Sequence, residues 1–323
     1  MSPGALRCGR GHSFDIARQG YVNLMPGGAR PGTADTAGMV AAREAFLGAG
    51  HYAPLARIVA DLAAHAVRAG HPAGRLGRSA AGLPAGTAPG PCVLDAGAGT
   101  GYYLRAVLDR LCGGPPSCGQ PPQQARAAQG SAAQGGAPAH GNRSAAGHQA
   151  PHGGAARPCG IAMDISVRAL RRAARAHPGI GAIAWDVWAP FPVRPSVVSV
   201  VLNVFAPRNG AEFRRVLHED GTLIVVTPAP GHLAELVDAA GLLTVDERKE
   251  DRLTGSLAGH FALERREERT DSMRLSRAGA ETLIAMGPAA RHVDAAAIRA
   301  RLAALPEPIT VTAAFRISVY RPG

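Results

Sequence analysis

The spacing of apolar residues changes along this chain, and each change marks an element. In "DTAGMVAAREAFLGAGHYAPLARIVADLAAHAV", residues 35–67, Met39, Phe46 and Leu47, then Leu55, Ile58, Val59 and Leu62, recur at helical spacing. Asp35 or Thr36 is placed to cap the first turn. From residue 91 short apolar runs alternate with amphipathic stretches. "PCVLDAGAG" reads as a strand entering a glycine turn, "TGYYLRAVLDRLC" as a helix, "CGIAMDIS" as a second strand and "VRALRRAARAH" as a second helix. "IGAIAWD", "SVVSVVLNVF" and "GTLIVVTPAP" continue as strands, with the helical "NGAEFRRVLHE" between the last two. Such alternation predicts a parallel sheet with right-handed crossovers. Toward the end, "HFALERREERTDSMRLS" and "ITVTAAFRISVYR" read as longer, half-exposed strands around the helical "RAGAETLIAM".

Two segments break this rhythm. Residues 70–90, rich in Gly, Pro and Ala, read as a linker. Residues 113–158 contain no Leu, Ile, Val, Met, aromatic or acidic residue. Such a stretch has nothing to bury against its ordering entropy, so the sequence predicts a disordered surface insertion. Loop-closure entropy grows slowly with length, and a sheet tolerates the interruption.

Composition adds direction. With 323 residues and 46% hydrophobic content the chain can bury a substantial core. The formal charge is +11, and Lys249 is the one Lys among 35 basic residues. GC-rich coding explains the arginine excess, but the field still favours polyanions, nucleic acid above all. Five scattered Cys residues do not make a disulfide framework. No signal peptide is present and no apolar run reaches the roughly 20 residues that span a bilayer, so a cytoplasmic protein without a membrane partner is expected.

The candidate chemistry gathers at strand ends. "VLDAGAGTGYY" joins a strand to a helix through Gly97, Gly99 and Gly101, where bare backbone can approach a ligand or simply turn tightly. Asp95 stands inside this motif, unlike the dinucleotide fingerprint. Asp164 closes "GIAMD", 69 residues further on; without the 46-residue insertion the gap is 23, near the roughly 20 expected for a ribose-binding carboxylate. Asp186 in "WDVWAPFP" is placed either for an adenine amino group or as a turn residue.

Over residues 91–240 these features resemble class I S-adenosylmethionine-dependent methyltransferases. The resemblance implies an α/β Rossmann-like fold with a mostly parallel seven-stranded sheet. It also implies that Asp95 holds the cofactor's ammonium group. "FDIARQGYVNLMP", "AREAFLGAGHYAPL", "LNVFAPRNGAEFRRVL" and "TPAPGHLAEL" together are similar to the 23S rRNA (guanine-N1)-methyltransferases, the group that includes macrolide-resistance enzymes. That family implies cofactor contacts at Tyr52, Gly97, Gly99, Thr100 and His232 beside Asp95 and Asp164. Packing between domains for Tyr52, and a helix-start contact for His232, are the alternatives from the residues alone. The family also carries an N-terminal zinc ribbon with a CxxC and a CxxxH. Here Cys8 and His12 match only the second half, and no Cys precedes them. Four ligands close a structural zinc site, so zinc through Cys8 and His12 is an expectation with half its ligands missing.

The implied organisation is a partial zinc-binding and RNA-recognition module over 1–34, a helical segment over 35–69, the linker, and a methyltransferase domain over 91–323. The implied partner is 23S rRNA, and a homodimer is an allowed arrangement. In "NVFAP", Asn203 is placed to meet a base edge; Phe205 reads first as core, with stacking on an extruded guanine as the alternative. Asp35 and Glu44 are the candidates for accepting the N1 proton. A small-molecule methyltransferase and a non-catalytic rRNA-binding protein are the rival readings.

Overall fold

The computed structural model of the chain describes residues 4–27, 34–70, 90–114, 157–240, 255–287 and 294–323. Most of the linker and of the insertion lies outside these residues. The strands are β1 (Ala5–Arg7), β2 (Ser13–Asp15), β3 (Tyr21–Asn23), β4 (Cys92–Ala96), β5 (Cys159–Asp164), β6 (Ile180–Ala184), β7 (Val198–Val204), β8 (Leu217–Pro228), β9 (Phe261–Leu275) and β10 (Ile309–Pro322). The helices are α1 (Ala37–Gly48), α2 (Ala53–Gly70), α3 (Tyr102–Leu111), α4 (Val167–Ala176), α5 (Gly210–Val216), α6 (Ala234–Ala240), α7 (Arg277–Ala285) and α8 (Ala295–Ala303).

The seven strands read from the sequence stand in the order β6-β5-β4-β7-β8-β10-β9, and β10 runs antiparallel to both its neighbours. This is a class I methyltransferase arrangement. Chain order reverses between β4 and β7, the kind of switch point at which open α/β sheets bind ligands beyond their strand ends. Alternation along the strands divides the core. Val93, Val200, Leu202, Ile224 and Val226 face one apolar cluster with α2 and α3, while Leu94, Val201, Leu223 and Val225 face a second with Phe191 and Phe213.

Helix starts follow the expected side chains. Thr36, rather than Asp35, caps α1 by accepting from the Met39 N–H, and Ser166 caps α4 by accepting from Ala169. One boundary differs from the sequence reading. The helix expected through Glu219 stops at Val216, because the 215 and 216 carbonyls accept from Ser196 and Val197 and draw the backbone into β8.

An eighth strand comes from the N-terminal segment. β1 and β2 form a short antiparallel hairpin, and β3 then pairs in parallel with β6, matching Tyr21 to Ala182 and Asn23 to Ala184. Leu24 N–H extends the ladder to the Ala184 carbonyl, and Val22 is buried in the seam. A Cβ at Gly20 would lie 3.3 Å from the Ala174 side chain, so the turn before β3 rests directly on α4. Val22→Asp places a charge in this seam. It should speed amide hydrogen exchange at residues 22–24 while leaving protection of β4, β5 and β7 intact, and exchange mass spectrometry resolves the two regions.

Candidate functional site

The sheet's switch point carries a glycine turn that only glycine fits. Gly97, Gly99 and Gly101 have φ of 89°, 53° and 78°, the left-handed region that costs a side chain dearly. A Cβ on Gly97 would also stand 2.4 Å from the Ala206 side chain, so this turn and the 203–208 turn are in direct contact. Both Gly97 and Ala98 donate their N–H groups to the Met163 carbonyl, which fixes the turn against β5.

Two carboxylates meet here. Asp164 Oδ2 accepts from the Gly99 N–H at 2.8 Å and Oδ1 from the Ser166 N–H at 2.7 Å. Burial nevertheless keeps the Asp164 carboxyl above the usual range, opposed by those two bonds. Asp95 is only 1% exposed, and its Oδ2 has no hydrogen-bond partner among the described residues. Burial first, and the Asp164 charge second, push Asp95 up to about 8. A buried acceptor left open beside a second carboxylate fits a cationic ligand group such as an ammonium. Thr100 follows in the turn, half-buried, and the Tyr103 hydroxyl is a second buried group with no hydrogen-bond partner among the described residues.

Aromatic rings gather around Phe205, on the turn that Gly97 touches. Tyr52, at the start of α2, is buried and meets Phe315 edge-on at 5.0 Å and Phe205 at 6.3 Å. His232 lies 6.5 Å from Tyr52 and stacks on Phe205 at 6.4 Å with 25° between planes. Burial holds the His232 imidazole down to about 4, so the ring is neutral at pH 7. Its Nδ1 accepts from the Ala314 N–H, which leaves the ring proton on Nε2 as a donor. The structure thus brings Tyr52, Asp95, Gly97, Gly99, Asp164 and His232 to one rim.

Two expectations in the "NVFAP" turn are corrected. Asn203 is fully buried; its amide donates to the Ala96 and Pro207 carbonyls at 3.2 and 2.8 Å and accepts from Arg208. With its capacity spent on tying β4 to the turn, it offers nothing to a base edge. Phe205 is not core: it is 40% exposed, at φ 53°, where a non-glycine residue is strained. Neither burial nor left-handed backbone at such a site is written in the local pattern.

The other sequence candidates divide. Glu44 pairs with Arg172 at 3.3 Å on the outer surface. Asp35 pairs with Arg43, whose guanidinium lies 3.4 Å from where a Gly99 Cβ would be and also donates to the Met286 carbonyl. Arg43, which the sequence reading missed, therefore roofs the glycine turn. Asp186 Oδ1 accepts from the Trp188 N–H, the turn role among its two readings.

Cys8 and His12 are exposed and adjacent, Sγ to Nδ1 at 3.4 Å. Among the described residues no third His, Cys, Asp or Glu joins them, and two donors do not fit a closed tetrahedral zinc site. The knuckle is held instead by backbone bonds, Cys8 N–H to the His12 carbonyl and Gly11 N–H to the Cys8 carbonyl.

Comparison with known proteins bears on this geometry. Residues 2–30 match the family model described as the N-terminal domain of RlmA, a zinc ribbon. A Micromonospora griseorubida protein, provisionally named a 23S rRNA (guanine-N(1)-)-methyltransferase, is 46% identical over 99% of this chain and 91% of its own length. The 23S rRNA (guanine(748)-N(1))-methyltransferase of Streptomyces fradiae is 39% identical over 98% of this chain and 91% of its own. Among solved structures, a methyltransferase-fold protein of Anabaena variabilis aligns with 12% identity and a TM-score of 0.41, over 74% of this chain and 92% of its own. Identity of this depth along nearly the whole length makes the chain a member of the 23S rRNA (guanine-N1)-methyltransferase family.

Proposed function

We propose that this protein transfers a methyl group from S-adenosylmethionine to N1 of a guanine in a hairpin of 23S rRNA, working in the cytoplasm. The observation that carries this reading is the open, buried Asp95 oxygen at a glycine turn that touches the turn displaying Phe205. The cofactor supplies an electrophilic methyl group on a sulfonium. This chain's own residues mainly hold and orient.

Asp95 takes the ammonium group. Asp164, with one lone pair on each oxygen already occupied by backbone N–H groups, keeps the remainder for ribose hydroxyls. The Gly99 N–H is committed to Asp164, so Gly99 serves by close approach of its backbone, with Thr100 beside it. Tyr52 walls the pocket, and His232 presents its Nε2–H as a neutral donor rather than as a base. Tyr52, His232 and Phe315 are packed together while Phe205 stays exposed at their edge.

Because N1 lies on the Watson–Crick edge, the guanine must leave its pair, and the exposed Phe205 ring offers it a stacking surface. The strained backbone at Phe205 keeps that ring outward, and the Phe205 N–H bond to the Val226 carbonyl anchors it to β8. The N-terminal module serves in RNA recognition, its fold resting on its own backbone bonds and its seam with β6. A small-molecule methyltransferase would have no use for that module, and a non-catalytic binder none for an open Asp95.

Two outcomes test the reading. With labelled cofactor and deproteinised 23S rRNA, reverse-transcriptase stops should mark one N1-methylated guanine, and position 748, named for the Streptomyces fradiae relative, is the first to read. Phe205→Ala should lower kcat/KM by between about fivefold and a hundredfold, and Phe205→Tyr far less. Methyl transfer to a small metabolite but never to RNA would end the acceptor assignment.

The second concerns protons. Asp95, raised to about 8, is mostly protonated at pH 7 in the ligand-free protein. Binding of the cation should expel about one proton, seen as a dependence of calorimetric heat on buffer ionisation enthalpy, and Asp95→Asn should abolish that dependence. The sign for stability follows: a carboxyl raised from 3.8 to about 8 contributes its full stability below 3.8 and loses it progressively as pH rises to about 8. Thermal unfolding of the ligand-free protein should show this loss, and the Asn variant should flatten it.

A further inference from the structure

α4 begins at the pocket, since Ser166, two residues after Asp164, caps it. It buries Ala169, Leu170 and Ala173 against the sheet and turns Arg168, Arg171, Arg172 and Arg175 outward, all exposed. The helix contains no acidic residue. Among the described residues, Arg172 is the member of this row in an ion pair, with Glu44. The four arginines are spaced three and four apart, so like charges face one another along the helix and weaken it. A helix that only covered a sheet would not need this arrangement, and a polyanion lying along it removes the repulsion.

The N-terminal module continues the same surface. Arg18 is exposed on the turn closed by the Gly20 N–H bond to the Ala17 carbonyl, and Gly20 is the residue packed on Ala174 of α4. Guanidinium forks match phosphate oxygens two at a time. The exposed face of α4 offers no large apolar side chain, which argues against a membrane or a protein hot spot.

We propose that Arg18 and the outward row Arg168, Arg171 and Arg175 form a phosphate-binding track that lays the stem of the substrate RNA along α4, leading its loop to the pocket rim. This rests on the rRNA reading above and adds the face that holds the stem.

The test is the salt dependence of binding. Arg168→Gln, Arg171→Gln and Arg175→Gln are combined, and affinity for a deproteinised hairpin fragment of 23S rRNA is measured from low to moderate salt. The expected result is at least about tenfold weaker binding and a slope of log K against log[salt] reduced by roughly 2, at about 0.7–0.9 per lost phosphate contact. Lys at the same three positions should keep the slope. Calorimetric cofactor affinity and kcat at saturating RNA should hold, which separates a lost track from a lost fold. An unchanged slope overturns the proposal, as does a defect seen only on intact ribosomal subunits, which would assign the face to a protein contact. Failure of the parent protein to methylate any RNA would instead sink the rRNA reading itself.

Discussion

The arrangement depends on one carboxylate oxygen that the described residues leave unsatisfied. Asp95 is fixed at the end of a buried strand with Oδ2 unbonded among those residues, and its neighbour Asp164 adds charge beside it. Burying such a group without a partner works against folding, and the fold accommodates it by holding the proton there. The surrounding glycine turn, its bonds to Met163 and the roof of Arg43 fix the backbone around that group.

The legible parts were those set by period and by backbone rules. Short apolar runs between amphipathic stretches marked the five strands from β4 to β8, longer half-exposed runs marked β9 and β10, and the tight turn was visible because Gly97, Gly99 and Gly101 crowd one strand end. Less legible were features decided by distant partners. β3 is three residues long, and nothing in "YVN" says that its mate is β6. Asn203 looks available in sequence and is consumed by Ala96, Pro207 and Arg208 in space. Phe205 reads as core because its ring is apolar, while its exposure follows from a backbone conformation that no residue pattern announces. Arg43 reaches the glycine turn from α1, a contact across more than fifty residues that spacing cannot foresee.

The two turns at the rim act as one unit. Gly97 could not carry a side chain without displacing Ala206, and Asn203 bonds the carbonyl just before Gly97. Whatever holds the glycine turn therefore also holds the 203–208 turn. On the proposed reading, precision in placing donor against acceptor comes from this shared backbone rather than from any single contact.

The seam between β3 and β6 also bears on how the protein is made. β3 leaves the ribosome ahead of its partner β6, which is encoded about 160 residues later, at roughly 5–20 residues per second on the order of ten to thirty seconds of synthesis. Until β6 arrives, Val22 has no seam to enter, so the nascent β3 must wait undocked while the rest of the sheet is translated.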